Sequence, residues 1–176
     1  MKPIPTDLPG LIVFESAIHR DDRGFFTEQF RRDLFQKAVG PVEFIQDNHS
    51  RSKPGVLRGL HFQTDPAQGK LVAVIRGSIW DVAVDIRKGS PTYGRWFGLE
   101  LSDENKKMMW ISPGFAHGFC VLGEAPADVL YKVTDRYEPK SEVCIRFDDS
   151  DLSIPWPVSQ PLVSAKDQAG RRFSEI

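Results

Sequence analysis

The sequence is short of cysteine, of net charge and of long apolar runs, and each shortage removes a class of protein. Its two cysteines, Cys120 and Cys144, form no CxxC pair and both fall in strand-like sequence. They read as free, buried thiols of a reducing compartment rather than as a disulfide or zinc framework. Basic and acidic residues nearly cancel, 23 against 24. A nucleic-acid partner normally demands a basic excess, so none is expected. Weak net repulsion leaves self-association open. No apolar stretch approaches the length of a membrane span, and MKPIPTDLPG at the start lacks the apolar core of a signal peptide. No membrane partner is expected, and the cytoplasm is the default location. A nucleophile elbow, a phosphate-binding glycine loop and a zinc-protease motif are also missing, as are repeats and linkers.

What is present is strand. The 176 residues are 40% hydrophobic and 27% charged, which fits one domain, 1–176, with a core of its own. Short apolar or alternating runs recur at 11–16, 24–30, 44–50, 56–63, 70–76, 78–87, 96–101, 107–112, 116–122, 128–134 and 142–147, separated by Gly, Pro, Ser and Asn. One helix is predicted over 31–39, stopped by Gly40, and a helical turn near Ala165-Lys166-Asp167. The pattern predicts an all-β protein, an antiparallel sandwich or closed barrel with alternate residues pointing into a pocket. SIWDVAVDIR (78–87) has one purely apolar face, Trp80, Val82, Val84 and Ile86. The opposite face, Ile79, Asp81, Ala83 and Asp85, is predicted to meet a polar cavity or solvent.

VLRGLHFQ (56–63) breaks the pattern. An apolar strand here carries Arg58 and His61, an odd number of residues apart, so strict alternation sends them to opposite faces. Glycine inside a strand marks bulges, and a bulge at Gly59 would return both side chains to one cavity. The plainer alternative is a buried, hydrogen-bonded histidine and a solvent-facing arginine. A second histidine, His117, lies in SPGFAHGF (112–119), with no obvious carboxylate partner in sequence. Metal-binding cupins often join an HxH pair to a PxGxxH-like stretch; here position 63 is Gln, so a three- or four-ligand site is not expected. Lys70, Tyr131, Tyr137 and Asp167 each have an ordinary explanation alone, as a snorkelling strand end, as sheet-face aromatics and as a turn cap.

Together, DDRGFFTEQF (21–30), FIQDNHSRSKPGVLRGLHFQ (44–63), QGKLVAVIRGSIWDVAVDIRKGSPTYG (68–94), WISPGFAHGFCVL (110–122), LYKVTDRY (130–137) and the LSIPWP to LVSAKDQAG region (152–170) resemble the dTDP-4-dehydrorhamnose 3,5-epimerase family over nearly the whole chain. The resemblance implies a cupin-type jelly roll, a homodimer, no metal and no cofactor. The implied substrate is dTDP-4-dehydro-6-deoxy-D-glucose, inverted at C3 and C5 on the way to dTDP-L-rhamnose. It further implies His61 as catalytic base, Asp167 as its support, Tyr131 as catalytic tyrosine and Lys70 as a cation in the pocket. Arg58, Gln46, Asn48, His117 and Tyr137 are the implied substrate contacts. Arg23, Phe26 and Glu28 match a segment reaching the nucleotide, in the neighbouring subunit's site. Arg136 stands where relatives often have a second aromatic. Two rivals remain at this point, a metal-dependent cupin isomerase or oxygenase and a non-catalytic sugar-nucleotide binder. Within the family, inversion at C3 only or C5 only stays open.

Overall fold

Thirteen strands and two short helices make up the computed structural model, which describes residues 1–176. In chain order they are β1 (Lys2–Pro5), β2 (Leu11–Glu15), β3 (Ile18–Asp21), β4 (Gly24–Thr27), α1 (Arg32–Val39), β5 (Gln46–Ser52), β6 (Leu57–Gln63), β7 (Lys70–Arg76), β8 (Ser78–Asp85), β9 (Trp96–Ser102), β10 (Met108–Ile111), β11 (Phe115–Leu122), β12 (Ala127–Val133), β13 (Glu142–Cys144) and α2 (Ala165–Gln168). A six-stranded sheet runs β1-β2-β10-β7-β12-β5, and a five-stranded sheet runs β13-β6-β11-β8-β9. β3 and β4 form a separate hairpin. From β5 onward the chain crosses repeatedly between the two antiparallel sheets, the winding of a jelly roll.

The two-residue period of the strands assigns the layers. On β7, Val72 and Val74 pack inward with Ile79, Met109, Phe119 and Val129. Leu71 and Ala73 face outward against Phe14, Met108 and Trp110. α1 covers that outer face. Its Phe35 is fully buried, with ring centroids 5.6 Å from Phe14 and 5.2 Å from Trp110. Burying one such ring stabilises the fold by about 2–3 kcal/mol. On β8, Val82 and Val84 pack outward beneath the C-terminal segment, against Leu152, Ile154 and Phe173. Ile79, Asp81 and Ala83 turn inward, and Asp81 and Asp85 are fully buried. The mixed face of β8 therefore meets neither cavity nor solvent: Ile79 and Ala83 pack in the core, Asp81 reaches His117 behind the cavity wall, and Asp85 is bonded by Arg87, Ser90 and Thr92.

Two features escaped the sequence reading and one expectation needs correcting. β1 and β3 were not predicted, because Pro3, Pro5 and the polar sequence IHRD hide short edge strands. The β3-β4 hairpin touches the β9–β10 turn, with Lys106 Nζ 4.4 Å from the Phe25 ring centroid and Arg20 paired with Glu104 at 3.1 Å, but Phe25 and Phe26 stay 52% and 70% exposed and neither enters the protein's own core. Both cysteines are free, but Cys144 is only half-buried, since it lies on β13 at the edge of its sheet. The predicted helix ends at Gly40, whose φ of +106° suits glycine.

Candidate active site

A cavity of about 380 Å³ opens between the sheets, and Gln46, Asn48, Arg58, His61, Lys70, His117, Tyr131 and Tyr137 all line it. The bulge in β6 explains how one strand contributes two of them. His61 sits opposite His117 and Arg58 opposite Phe119, so a three-residue step on β6 faces a two-residue step on β11. Gly59 absorbs the difference at φ +113°; a Cβ there would stand 2.6 Å from the Gly118 Cα. Leu60 then points into the outer core, while Arg58 and His61 share the cavity. Arg58 is the less enclosed of the two. It is exposed at the rim, where its Nε donates to Ser52 Oγ at 2.9 Å.

Behind His61 stands Asp167. Its Oδ1 lies 2.6 Å from His61 Nε2, and its Oδ2 accepts from the Gly59 N–H at 3.3 Å. The first turn of α2 holds the carboxylate there, with Ser164 Oγ accepting from the Asp167 N–H at 3.1 Å. Burial works against the charge on Asp167, but the His61 bond and the Gly59 N–H together hold its carboxyl below the usual carboxylate range.

His117 has a carboxylate partner after all. Asp81 Oδ1 lies 2.7 Å from His117 Nε2, brought there by the pairing of β8 with β11. Asp81 is fully buried, and its Oδ2 has no hydrogen-bond partner.

The six-stranded sheet supplies the facing wall. Lys70 opens β7, and burial pushes its ammonium down to about 8, against the opposing pull of Glu142 and Asp81. Tyr131 on β12 lies opposite Asn48 of β5. Burial raises the Tyr131 phenol above its ordinary value, with Arg58 pulling the other way, so it keeps its proton at neutral pH. Gln46 Nε2 donates to Asn48 Oδ1 at 2.8 Å on the edge strand.

Glu142 was missed by sequence reasoning. It lines the cavity, accepts from the Tyr137 hydroxyl at 2.6 Å and pairs with Lys166. Burial opposes its charge, but Lys166 and Tyr137 keep its carboxyl low. The one available signal was a carboxylate opening the apolar run EVCIRF. Arg23, Phe26 and Glu28 lie outside this cavity. Arg23 pairs with Asp21 at 2.6 Å, Phe26 stacks on His19 at 6.4 Å, and Glu28 lies 3.9 Å from Arg31.

Gln63 bears on the metal question. Its amide donates to the carbonyls of Pro66 and Arg136 and its Oε1 accepts from the Glu138 N–H. The side chain that would replace the second histidine of an HxH pair is thus spent on holding loops, which fits no metal centre of the cupin kind.

A histidine on one sheet, backed by the Asp167 carboxylate of α2, and a protonated phenol and a cation on the other sheet can remove and return a proton on opposite sides of one bound molecule. That capacity, in this architecture, defines a cupin-like epimerase. The particular family follows from comparison with known proteins. The model of the dTDP-4-dehydrorhamnose 3,5-epimerase family matches residues 5–175, and the chain belongs to that family. It is 52% identical to dTDP-4-dehydrorhamnose 3,5-epimerase of Pseudomonas aeruginosa, covering 99% of this chain and 97% of that one. The Shigella flexneri protein of the same name is 51% identical, over 98% and 96% of the two chains. The crystal structure of dTDP-6-deoxy-D-glucose-3,5-epimerase from Legionella pneumophila, in complex with dTDP-4-keto-L-rhamnose, superposes with a TM-score of 0.95 at 49% identity, covering 99% of this chain and 94% of that one.

Proposed function

We propose that the protein inverts C3 and C5 of dTDP-4-dehydro-6-deoxy-D-glucose, giving dTDP-4-dehydro-L-rhamnose for dTDP-L-rhamnose and cell-envelope polysaccharide synthesis. The observation that carries this is the 2.6 Å His61–Asp167 bond in a cavity whose facing wall holds Lys70 and Tyr131. Both carbons flank the C4 ketone, so loss of either proton gives an enolate. His61 takes the proton through the nitrogen not bonded to Asp167, and Asp167 stabilises the imidazolium that results. Lys70, still largely cationic at neutral pH, faces the developing enolate oxygen. Tyr131 delivers a proton to the opposite face and is reprotonated from solvent. His117 and Arg58 hold the sugar and phosphate oxygens, and Gln46, Asn48 and Tyr137 take the nucleotide end.

The reading extends to assembly. The exposed β3-β4 hairpin carries Arg23 and Phe26, with Glu28 just after it, all outside their own cavity. In a homodimer this hairpin completes the partner's site, in the cytoplasm where nucleotide sugars are made. Light scattering and assay on the same dilution series test this; a fully active monomer would overturn it.

NMR of the keto sugar incubated with the protein in deuterated buffer tests the chemistry. The expected result is deuterium at C3 and C5 with inversion at both. Inversion at one carbon alone would reduce the assignment to a mono-epimerase. Binding without exchange would leave only a sugar-nucleotide binder, and activity that depends on stoichiometric metal would favour the metal-dependent rival.

A further inference from the structure

Cys144 has no part in the chemistry above, yet it stands beside the catalytic pair. β13 pairs with β6 so that Cys144 lies directly across from His61. Cross-strand partners share a face, which places the thiol next to the imidazole. Cys144 Sγ lies 3.8 Å from Asp167 Oδ1, and that oxygen lies 2.6 Å from His61 Nε2. All three donor atoms fall within 4.8 Å of one another.

These spacings are close to what a tetrahedral ion requires. Zinc bound to nitrogen and oxygen near 2.0 Å and to thiolate near 2.3 Å holds its ligand atoms roughly 3.3–3.6 Å apart. Opening the His61–Asp167 bond by roughly 0.7 Å and drawing the Cys144 thiol inward, by roughly 0.3 Å toward Asp167 Oδ1 and by up to roughly 1.3 Å toward the His61 nitrogen, makes the geometry. One imidazole, one thiol and one carboxylate form a donor set for Zn²⁺ or Cd²⁺, whereas Mg²⁺ and Ca²⁺ want oxygen alone. Asp167 and Glu142 give the surroundings negative charge, which favours a dication, and Lys166 opposes it.

We propose that His61 Nε2, Cys144 Sγ and an Asp167 carboxylate oxygen form an inhibitory site for a thiophilic divalent cation, Zn²⁺ foremost. The ion displaces the proton of the Cys144 thiol to solvent and drives the single proton of the neutral His61 ring from Nε2, where it is shared with Asp167, to Nδ1. The ring then has no lone pair for the substrate, and proton abstraction stops. The inhibitory role rests on His61 being the base; the binding itself does not.

Protein stripped with chelator and titrated with Zn²⁺ provides the test. Equilibrium dialysis should find one Zn²⁺ per chain at this site, and epimerisation should fall as that site fills. Co²⁺ in its place should show a thiolate-to-metal charge-transfer band. Cys144→Ala should keep its basal turnover, lose the band and need at least tenfold more Zn²⁺ for half inhibition. Cys144→Ser, which keeps the size but not the thiolate, should behave like Cys144→Ala. Mg²⁺ at the same concentrations should leave activity unchanged. Equal Zn²⁺ sensitivity in the parent and both variants, or a Co²⁺ complex without the band, would overturn the site. Tight Zn²⁺ binding through Cys144 in a protein that never exchanges the sugar protons would sink the epimerase reading and the inhibitory role together, and leave the binding site standing.

Discussion

Two histidine–carboxylate pairs face each other across one strand pairing, and they differ in what they can reach. His61 and His117 are directly opposite on β6 and β11. Their hydrogen bonds are alike, 2.6 Å to Asp167 and 2.7 Å to Asp81. The His61 side chain is 27% exposed, the His117 side chain 10%, and the Asp81 side chain not at all. Asp167 arrives on a late helical turn and has a second donor in the Gly59 N–H. Asp81 belongs to a central strand and leaves one oxygen without a partner. A short bond between the right residue types therefore does not identify a base. Both histidines line the cavity, but only the His61 pair joins the wider access to a carboxylate with both oxygens bonded, and the proposal that His61 is the base rests on that difference.

The comparison can be broken most severely through the group facing it. Tyr131→Phe keeps the ring and its packing but removes the transferable proton. Inversion, chiefly at C5, should fall a hundredfold or more, while His61 still exchanges the substrate proton for deuterium on one face. Unchanged C5 inversion would mean that Tyr131 is not the acid.

Next come the carboxylates, compared by unfolding in denaturant. Asp81→Ala strands His117 in a nearly closed space and should cost about 3 kcal/mol. Asp167→Ala leaves His61 beside a cavity that water can enter, and should cost about 1 kcal/mol while abolishing turnover. The reverse order of stabilities would remove the distinction between the pairs.

Lys70 lies under the influence of Asp81, and its response to pH sharpens the same contrast. Its ammonium sits at about 8 in the folded protein, against about 10.4 in an unfolded chain. Between those values the unfolded chain binds more protons, so stability contributed by this group rises with pH across that window. Lys70→Met should abolish that rise, add about 1–2 kcal/mol at pH 7 and lose activity. A variant as active as the parent would show that the enolate is held by something else.

How much of this was legible in the sequence depended on range. The bulge was legible locally only as one of two readings: Gly59 between an oddly spaced Arg58 and His61 allowed it, a buried histidine with a solvent-facing arginine was the plainer alternative, and the β6–β11 register decides for the bulge. The strands 70–76 and 116–122 were plain from their apolar runs. The Asp81 partner of His117 was not, since 36 residues separate them and only the β8–β11 register joins them. Its trace was a carboxylate on the mixed face of SIWDVAVDIR. Asp167 reads from composition as a turn cap, which it also is near; the family resemblance alone pointed to His61. Glu142 looked like the start of a strand, and its bonds to Tyr137 and Lys166 come from three separate segments. Short edge strands with proline, such as β1, carry too little pattern to be seen.

The central claim is that the His61 pair performs the proton abstraction and the His117 pair does not. Deuterium incorporation into the keto sugar, followed by NMR in deuterated buffer for His61→Asn and His117→Asn side by side, tests it most directly. The account predicts no exchange at C3 or C5 with His61→Asn, and continued exchange with weakened substrate binding for His117→Asn. Exchange at the parent rate in His61→Asn, or its complete loss in a folded His117→Asn that still binds the sugar nucleotide, would contradict it.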